Sequence, residues 1–279
     1  MKTSRVNRII NFSNVDGPHN RTAIFFQECN FNCLYCHNPE TINKCIACGE
    51  CVKNCPVGAL SLNDGMVNWD EKKCVKCDTC LKVCKHKSSP KTTLMSVDDV
   101  MERIKKSRPY IKGITTSGGE CSLQAPFLKE LFKRCHELGL TCFMDSNGSY
   151  DFAKDEELMS YTDAVMLDVK AYDKKFHAEL CSYDNTLVIK NLHYLLDHDK
   201  MYEVRTVLLP GRKEDNFTTV SNVAKIIGDR CRYKLIRYRP FGVREEYQKI
   251  LGDDEMSMEE ANQYVELAKS LGCSQAFVL

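Results

Sequence analysis

Short apolar runs alternate along the chain with segments whose apolar residues recur every three or four positions. The short runs predict buried strands and the longer periodic segments predict helices. Strands are expected at 22–27, 112–116, 140–144, 164–167, 202–209 and 233–238, with a short final apolar run at 276–279. Helices are expected at 97–107, 127–138, 187–195, 220–227 and 257–267, with Ser96 and Ser257 as N-caps and a capping box from Ser257 to Glu260. Strands that alternate with helices predict an α/β fold with a parallel sheet.

Polar motifs follow several of these strands directly. In barrel-type α/β folds, this end of the strands is where active sites are built. The chain contains about six strand–helix units, fewer than the eight of a closed barrel. We therefore expect a partial, TIM-like (β/α)6 barrel, whose lateral opening could admit a loop of a macromolecular substrate.

The first motif is a CxxxCxxC run, Cys29, Cys33 and Cys36, directly after the strand at 22–27. Three thiolates can hold three irons of a [4Fe–4S] cluster, whereas electron-transfer clusters are normally closed by four cysteines. The fourth iron would then be open to an exogenous ligand. A structural zinc site is the alternative, with His37 as its fourth ligand.

Eight further cysteines form two matched CxxCxxCxxxC runs within residues 42–88, the pattern of bacterial ferredoxins. In that pattern the fourth cysteine of each run ligates the other cluster. The expected ligand sets are therefore Cys45, Cys48, Cys51 and Cys84 for one [4Fe–4S] cluster, and Cys74, Cys77, Cys80 and Cys55 for the other. Zinc ribbons are the alternative.

The two clusters of residues 42–88 are expected to relay electrons to the first cluster, with a structural or docking role left open. A basic run follows them, comprising Lys82, Lys85, Lys87 and Lys91. It is either a solvated face or a docking surface for an acidic electron donor.

The chain resembles the radical S-adenosylmethionine enzymes, and most closely the activases that install a glycyl radical on partner enzymes, such as pyruvate formate-lyase activase. The resemblance rests on Asp16-Gly17-Pro18, on the CxxxCxxC run with Tyr35 before its last cysteine, and on the continuation His37-Asn38-Pro39-Glu40. With its two-cluster insert, the chain is most similar to the YjjW-type branch. The resemblance implies a radical enzyme barrel formed by 1–41 and 89–279, with a ferredoxin-like insert at 42–88.

The resemblance also implies the reaction, which belongs to anaerobic metabolism. S-adenosylmethionine binds the open iron and is cleaved reductively to methionine and a 5′-deoxyadenosyl radical. That radical removes a hydrogen from a glycine in a C-terminal loop of a glycyl-radical enzyme. The implied electron donor is a flavodoxin or a ferredoxin-type protein.

Further residues take roles from the same resemblance. Gly118, Gly119 and Glu120 would contact the methionine amino group, and Lys170 would neutralise the methionine carboxylate. Tyr35, His37 and Asn147 would also contact the cofactor, and Asp16 and Arg205 would lie near the glycyl loop. A monovalent cation would be held by Asp145, Ser146, Asp168 and the Val169 carbonyl, since oxygen ligands suit a hard cation.

The carboxylates and Arg205 also have a simpler interpretation. Each carboxylate alone could be a helix cap or a surface ion pair, and Arg205 could form an ion pair on a barrel strand. The sequence departs from the family at Cys121, where a proline or small residue is usual, at Gly242, where a histidine is usual, and at His19, where a glycine is usual.

Composition narrows the picture further. The net charge of +1 over 279 residues argues against bulk binding to nucleic acid or to an anionic membrane. The chain starts without a signal-peptide pattern and has no apolar run long enough to span a bilayer, so a cytoplasmic location is expected. Of seventeen cysteines, six lie outside the motifs and are expected to be buried and inert. They are Cys121, Cys135, Cys142, Cys181, Cys231 and Cys273.

Three other functions are kept open. A radical S-adenosylmethionine enzyme that acts on a small molecule would share the cofactor motifs but would work without a protein partner. A ferredoxin-like electron carrier with a catalytically dead barrel would produce no 5′-deoxyadenosine. A zinc protein would contain little iron.

Overall fold

The computed structural model describes residues 2–279, which divide into two compact units. The first runs to Asn30 and resumes at Asn38–Thr141, and the second comprises Phe31–His37 and Cys142–Leu279. The expected insert, residues 42–88, lies within the first unit, and its boundaries stay a prediction. Within residues 2–279, no helix is both long enough and apolar enough to cross a bilayer.

The first unit contains a four-stranded portion of sheet and a separate hairpin. Its strands are β1 (Thr3–Ser13), β2 (Arg21–Phe26), β3 (Leu60–Asn63), β4 (Met66–Trp69), β5 (Thr93–Ser96) and β6 (Gly113–Gly118). They lie in the order β5-β1-β2-β6, with β2 parallel to β6 and β1 antiparallel to β2 and β5. The strands β3 and β4 form the antiparallel hairpin.

The helices of the first unit are α1 (Glu50–Lys53), α2 (Thr79–Lys82), α3 (Val97–Ser107) and α4 (Ala125–Glu137). The predicted cap of α3 is confirmed: the Ser96 side chain accepts a hydrogen bond from the Asp99 N–H, and the Asp99 carboxylate accepts one from the Ser96 N–H. The α4 side chain of Phe127 packs edge-on against Phe26, with ring centroids 5.7 Å apart. This contact secures the end of β2 from which Cys29 follows.

The strands of the second unit are all parallel. They are β7 (Thr141–Ser146), which continues into this unit, β8 (Ala164–Asp168), β9 (Met201–Leu208), β10 (Arg232–Arg237) and β11 (Ala276–Val278), side by side in chain order. The helices are α5 (Glu156–Tyr161), α6 (Lys174–Cys181), α7 (Thr186–Asp197), α8 (Lys213–Ile227), α9 (Glu245–Leu251) and α10 (Met258–Ser270). Ser257 caps α10 by accepting from the Glu260 N–H.

Every predicted strand and helix is present, and the α/β class with a mostly parallel sheet is confirmed. The elements that were not predicted are short or polar. The strand β1 has the sequence TSRVNRIINFS, and α6 has the sequence KKFHAELC. Neither carries a long apolar stripe, so periodicity alone could not identify them.

Candidate active site and cysteine cavities

Cys29 lies just beyond β2, where the chain is hydrogen-bonded to the segment that leads into the cysteine-rich region. The Cys29 N–H donates to the Ile42 carbonyl at 3.0 Å, and the Glu28 N–H donates to the Thr41 carbonyl at 2.8 Å. Lys44 adds an ion pair with Glu28 at 2.9 Å. These contacts fix the backbone around the first cysteine of the motif.

The turn formed by Gly118, Gly119 and Glu120 packs backbone to backbone against the same segment. The Gly119 N–H donates to the Phe26 carbonyl at 2.9 Å, and the Glu120 N–H donates to the Glu28 carbonyl at 2.7 Å. A Cβ on Gly119 would lie 2.0 Å from the Glu28 oxygen, and Gly118 has a φ of +115°. The two glycines are therefore required by the packing of one chain segment on another.

The Glu120 side chain is buried and already has hydrogen-bond donors. One carboxylate oxygen accepts from the Ser122 N–H at 3.1 Å and from the Ser122 hydroxyl at 2.6 Å. Cys121 is fully buried at the start of the following helical turn, Cys121–Gln124. The expected contact of Glu120 with a ligand ammonium group stays a prediction.

Asp16 lies in the turn between β1 and β2. Its carboxylate accepts from the Ser13 hydroxyl at 2.5 Å, and its backbone carbonyl accepts from the Thr115 hydroxyl at 2.5 Å. His19 takes a φ of +60° in the same turn, a conformation that non-glycine residues rarely adopt. The turn is thus held by specific contacts despite its departure from the family pattern.

The second unit carries Cys33 and Cys36 in a loop that is braced by α6. The N–H groups of Asn32 and Leu34 donate to the carbonyls of Cys181 and Leu180, at 3.0 and 2.9 Å. The Phe31 ring packs against the rings of His177 and Tyr183, at centroid distances of 5.6 and 4.9 Å. Backbone pairing and ring packing therefore hold both sides of Cys33.

The thiols of Cys33 and Cys181 are both buried. The neighbouring Cys181 thiol lowers the pKa of Cys33, and the charge of Lys170 lowers it further, although burial opposes both. Burial raises the pKa of Cys181 well above its usual value, and the neighbouring Cys33 thiol raises it further.

Tyr35 and Lys170 lie together beside Cys33. Within residues 2–279 the buried Tyr35 hydroxyl has no hydrogen-bond partner, which is uncommon for a buried polar atom. The Lys170 ammonium is 5.7 Å from the centre of the Tyr35 ring and 2.8 Å from an Asp168 carboxylate oxygen. Burial opposes the charge on Lys170, but Asp168, Tyr35 and the thiols of Cys33 and Cys181 together outweigh it, so the pKa of Lys170 is raised.

Arg205, on β9, forms ion pairs with two carboxylates. Its guanidinium lies 2.9 Å from an Asp145 oxygen and 2.8 Å from a Glu203 oxygen. The Glu203 side chain is only 3% exposed, and its other carboxylate oxygen lies 3.4 Å from a guanidinium nitrogen of Arg232. Sequence reasoning missed Glu203, although residues two apart on a strand share a face, which was an available signal.

The expected cation ligands are engaged within the protein. The Ser146 hydroxyl accepts from the Gly148 N–H at 3.1 Å, and the Val169 carbonyl accepts from the Thr206 hydroxyl at 2.8 Å. Asp145 forms an ion pair with Arg205 and Asp168 forms one with Lys170, so each carboxylate has a positively charged partner. Asn147 turns the chain by accepting from the Ser149 N–H at 2.9 Å.

His37 ends the cysteine loop and contacts the segment after β10. Its Nε2 lies 3.0 Å from the Arg239 carbonyl. A Cβ on Gly242 would lie 2.9 Å from the His37 carbonyl, and Gly242 has a φ of +83°. A histidine at this position, as in the family pattern, would therefore not fit without movement of the backbone.

Two small cavities lie in the cysteine-rich part of the first unit, each lined by four cysteines. Three cysteines of each cavity come from one run and the fourth comes from the other run. The first cavity is lined by Cys45, Cys48, Cys51 and Cys84, and the second by Cys55, Cys74, Cys77 and Cys80.

The walls of these cavities suit thiolates. Backbone N–H groups of Ala47, Ala59 and Ser88 donate to the sulfurs of Cys45, Cys55 and Cys84 at 3.2–3.5 Å. The two runs also repeat their backbone conformation at equivalent positions. Residues with positive φ occur at matching positions of the two runs: Ala47 matches Lys76, Gly49 matches Asp78, and Gly58 matches Lys87.

The six remaining cysteines are all buried, as predicted. Burial raises the pKa of Cys273 to about 11 and that of Cys231 to about 12. These two are protonated thiols that fill space. Cys181 differs because its carbonyl accepts from the N–H of Asn32, next to Cys33, and nothing in its sequence neighbourhood signalled this.

Comparison with known proteins identifies the family. The family model described as Radical SAM superfamily matches residues 23–222. The indoleacetate decarboxylase activating enzyme of Tractidigestivibacter scatoligenes is 32% identical over 258 residues, covering 84% of this chain and 81% of the relative. A putative glycyl-radical enzyme activating enzyme of Haemophilus influenzae is 31% identical over 264 residues, covering 86% and 84%.

The fold has a counterpart among solved structures. Streptococcus suis SuiB bound to S-adenosylmethionine superimposes with a TM-score of 0.57 at 12% identity, over 91% of this chain and 48% of that chain. At this identity the likeness concerns the fold alone.

Proposed function

Because this chain belongs to the radical S-adenosylmethionine superfamily, and within it to the glycyl-radical enzyme activating enzymes, we propose that it installs a glycyl radical on a partner enzyme. The observation that carries the proposal is the similarity to two activating enzymes over more than four-fifths of both chains. The protein partner is a glycyl-radical enzyme that presents a glycine loop.

The proposed ligands of the catalytic [4Fe–4S] cluster are Cys29, Cys33 and Cys36. When bound, this cluster supplies the electron that splits S-adenosylmethionine into methionine and a 5′-deoxyadenosyl radical, which takes a hydrogen atom from the glycine. The lowered pKa of Cys33 and its burial support the assignment, since the thiolate is the metal ligand. The unpartnered hydroxyl of Tyr35 supports a ligand beside it.

The chain's contribution is to bind and orient. Lys170 would hold the methionine carboxylate by turning from Asp168, to which it is now paired, and Glu120 would hold the amino group. The acceptor glycine must come within about 3–3.5 Å of the radical carbon, the usual spacing of a near-attack geometry. Asp16 and Arg205 are proposed to guide the glycine loop.

A monovalent cation beside the carboxylate is proposed at Asp145, Ser146, Asp168 and the Val169 carbonyl. An all-oxygen donor set supports a hard cation. If Lys170 moves to the methionine carboxylate, Asp168 loses its partner, and a cation would replace that charge. Cation binding is therefore expected to accompany S-adenosylmethionine binding.

Two further [4Fe–4S] clusters are proposed in the cysteine cavities, as an electron relay within a ferredoxin-like insert. The proposal is supported by four cysteines in each cavity, by the exchange of the fourth cysteine between runs, and by the N–H···S contacts. The hydrogen bonds suit thiolate ligands. The insert would receive electrons from a flavodoxin or ferredoxin-type donor.

The exposed basic surface beside the insert is smaller than the sequence suggested. Lys82, Lys85 and Lys87 are exposed, whereas Lys91 is mostly buried and paired with Asp78. The exposed lysines are the proposed contact for an acidic donor.

The test is Cys33→Ala in iron-loaded protein under reducing, oxygen-free conditions. We expect 5′-deoxyadenosine production to be lost, while the iron and the absorption of the insert clusters are retained. The control, Cys273→Ala, removes a buried thiol elsewhere and should leave cleavage unchanged. Cleavage that persists in Cys33→Ala would contradict the site assignment.

The partner assignment has its own readout. Incubation with a glycyl-radical enzyme should produce the glycyl doublet in electron paramagnetic resonance (EPR) spectra. Turnover of a small molecule without any protein partner would instead favour the small-molecule radical enzyme.

A further inference from the structure

The two cysteine cavities are built from matched runs that differ in one side chain beside an equivalent cysteine. Glu50 begins α1 in the first run and Thr79 begins α2 in the second. Each lies two residues after the second cysteine of its run, which is Cys48 or Cys77. Both of these cysteines are exposed, so access of water to the sulfur does not distinguish them. The runs therefore compare a carboxylate with a hydroxyl at one position.

The hydroxyl of Thr79 is hydrogen-bonded to a proposed cluster ligand. Its oxygen lies 3.4 Å from the Cys77 sulfur. A cysteine bound to iron is a thiolate and can only accept, so the hydroxyl is the donor when the cluster is bound. An ionised carboxylate also only accepts, so Glu50 cannot make the same contact with Cys48. Its oxygen accepts instead from the Lys53 ammonium at 3.1 Å.

Trp69 supplies a second donor to the same cavity, the one lined by Cys55, Cys74, Cys77 and Cys80. Its indole nitrogen is buried and has no hydrogen-bond partner within residues 2–279. Buried polar atoms normally have a partner, and an indole N–H can only donate. The sulfurs of a bound cluster are acceptors of the kind that this N–H lacks. Trp69 is the sole tryptophan of the chain, so the other cavity has no indole donor.

The charges that line the two cavities differ in the same sense as the donors. The Glu50 carboxylate lines the first cavity, whereas the second is lined by an oppositely charged pair, Lys91 and Asp78. Backbone N–H groups reach sulfurs in both cavities and so do not separate them. Reduction adds a negative charge to a cluster, which a neighbouring carboxylate disfavours and a hydrogen-bond donor favours.

We propose that the two insert clusters differ in reduction potential, and that the cluster of the second cavity is the more easily reduced because Thr79 and Trp69 donate hydrogen bonds to its sulfurs. Hydrogen bonds to the sulfurs and net charge are among the factors that set iron–sulfur potentials. The first electron that the insert takes up therefore resides in the second cavity. The inference rests on the proposed insert clusters.

The test is a redox titration of the whole iron-loaded protein, followed by EPR. The signal of the catalytic cluster is recognised because it changes when S-adenosylmethionine is added, which leaves two reduction steps for the insert. Thr79→Val keeps the shape of the side chain without its hydroxyl. We expect it to shift the step at higher potential to more negative values, by about tenfold in the one-electron equilibrium or about 59 mV. Trp69→Phe should shift the same step in the same direction.

The matched control is Thr79→Ser, which keeps a hydroxyl and should leave both steps near their wild-type potentials. The inference is overturned if Thr79→Val and Trp69→Phe leave both steps in place, or if they shift the step at lower potential. Should these variants bind less iron than the wild type, Glu50→Thr decides, because it adds a hydroxyl to the first cavity. A shift of the lower step to more positive values supports the inference, and an unchanged step overturns it. A wild-type protein without insert steps would refute the proposed clusters, and the inference with them.

Discussion

The loop around Cys33 and the cysteine cavities of residues 45–91 both present cysteines, but they are stabilised differently. The Cys33 loop is held by backbone hydrogen bonds to α6 and by aromatic packing around Phe31. The cavity region has a small buried core of Cys51, Leu60, Val67 and Cys80. Two of those four residues are proposed cluster ligands.

The difference shows what each region needs in order to stay folded. In the Cys33 loop, protein contacts alone account for the conformation. In residues 45–91, about half of the core consists of side chains that we expect to bind iron. A core this small gives only marginal stability without metal. The free energy of iron binding therefore contributes directly to the free energy of folding of this region.

The largest predicted effect is that of iron removal. Chelation should abolish most amide protection in residues 45–91, because their core loses the bonds that join its cysteines. Residues 164–168 and 201–208, in β8 and β9, should keep their protection. Hydrogen exchange followed by mass spectrometry on iron-loaded and iron-free protein measures both regions at once.

The sole tryptophan offers an independent readout, since Trp69 packs against the small core of the cavity region. Its emission should shift to longer wavelength when iron is removed. Amide protection that is retained in residues 45–91 after complete chelation would contradict the prediction that this region depends on iron. An equal loss of amide protection in β8 and β9 would also contradict it.

The next effect compares a buried ion pair of the second unit, the unit that carries the Cys33 loop, with an exposed ion pair of the cavity region. Arg205→Met leaves Glu203, which is 3% exposed, without its nearest cation. We expect the free energy of unfolding of the second unit to fall by about 3–5 kcal/mol, the usual result of breaking a buried pair. The measurement is urea unfolding followed by far-ultraviolet circular dichroism.

The matched change in the cavity region is Lys91→Met. Its partner Asp78 is 54% exposed, so water can replace the lost cation. We expect a loss of no more than about 1 kcal/mol, followed through Trp69 fluorescence. An equal loss in the free energy of unfolding for the two substitutions would show that burial does not determine how much each ion pair contributes.

The smallest predicted effect is on pH dependence. Burial lowers the pKa of His177, and the nearby Lys170 adds to this. Both states are neutral at pH 7.5, but below about pH 6.5 the unfolded state takes up a proton that the folded state resists. Stability should therefore fall as the pH drops through 6.5 towards the lower folded-state value.

His177→Gln should remove this contribution, so the variant should lose less stability than the wild type between pH 7.5 and 5.5. The difference amounts to about 1.4 kcal/mol for each unit by which the folded and unfolded pKa values differ. The measurement is urea unfolding at both values. His193→Gln, which changes an exposed histidine on α7, should behave as the wild type does. Identical pH dependence in both variants would contradict the prediction.

Sequence patterns predicted the parallel strands, the principal helices and the position of each motif after a strand. They did so because side-chain periodicity and capping are local properties. The Ser96 cap and the strand before Asp168 are examples. The burial of the six scattered cysteines also followed from their apolar neighbours.

The sequence alone therefore determined the fold class, the family and the cysteine runs. Only the tertiary structure decided that α6 braces the Cys33 loop through the Cys181 carbonyl, and that Glu203 and Asp145 share Arg205. These contacts join residues far apart in the chain, and a short helix such as α6 leaves little periodic signal. The glycines of the Gly118–Gly119 turn illustrate the limit: the pattern marked them as special, but the reason, the carbonyl of Glu28, is visible only in three dimensions.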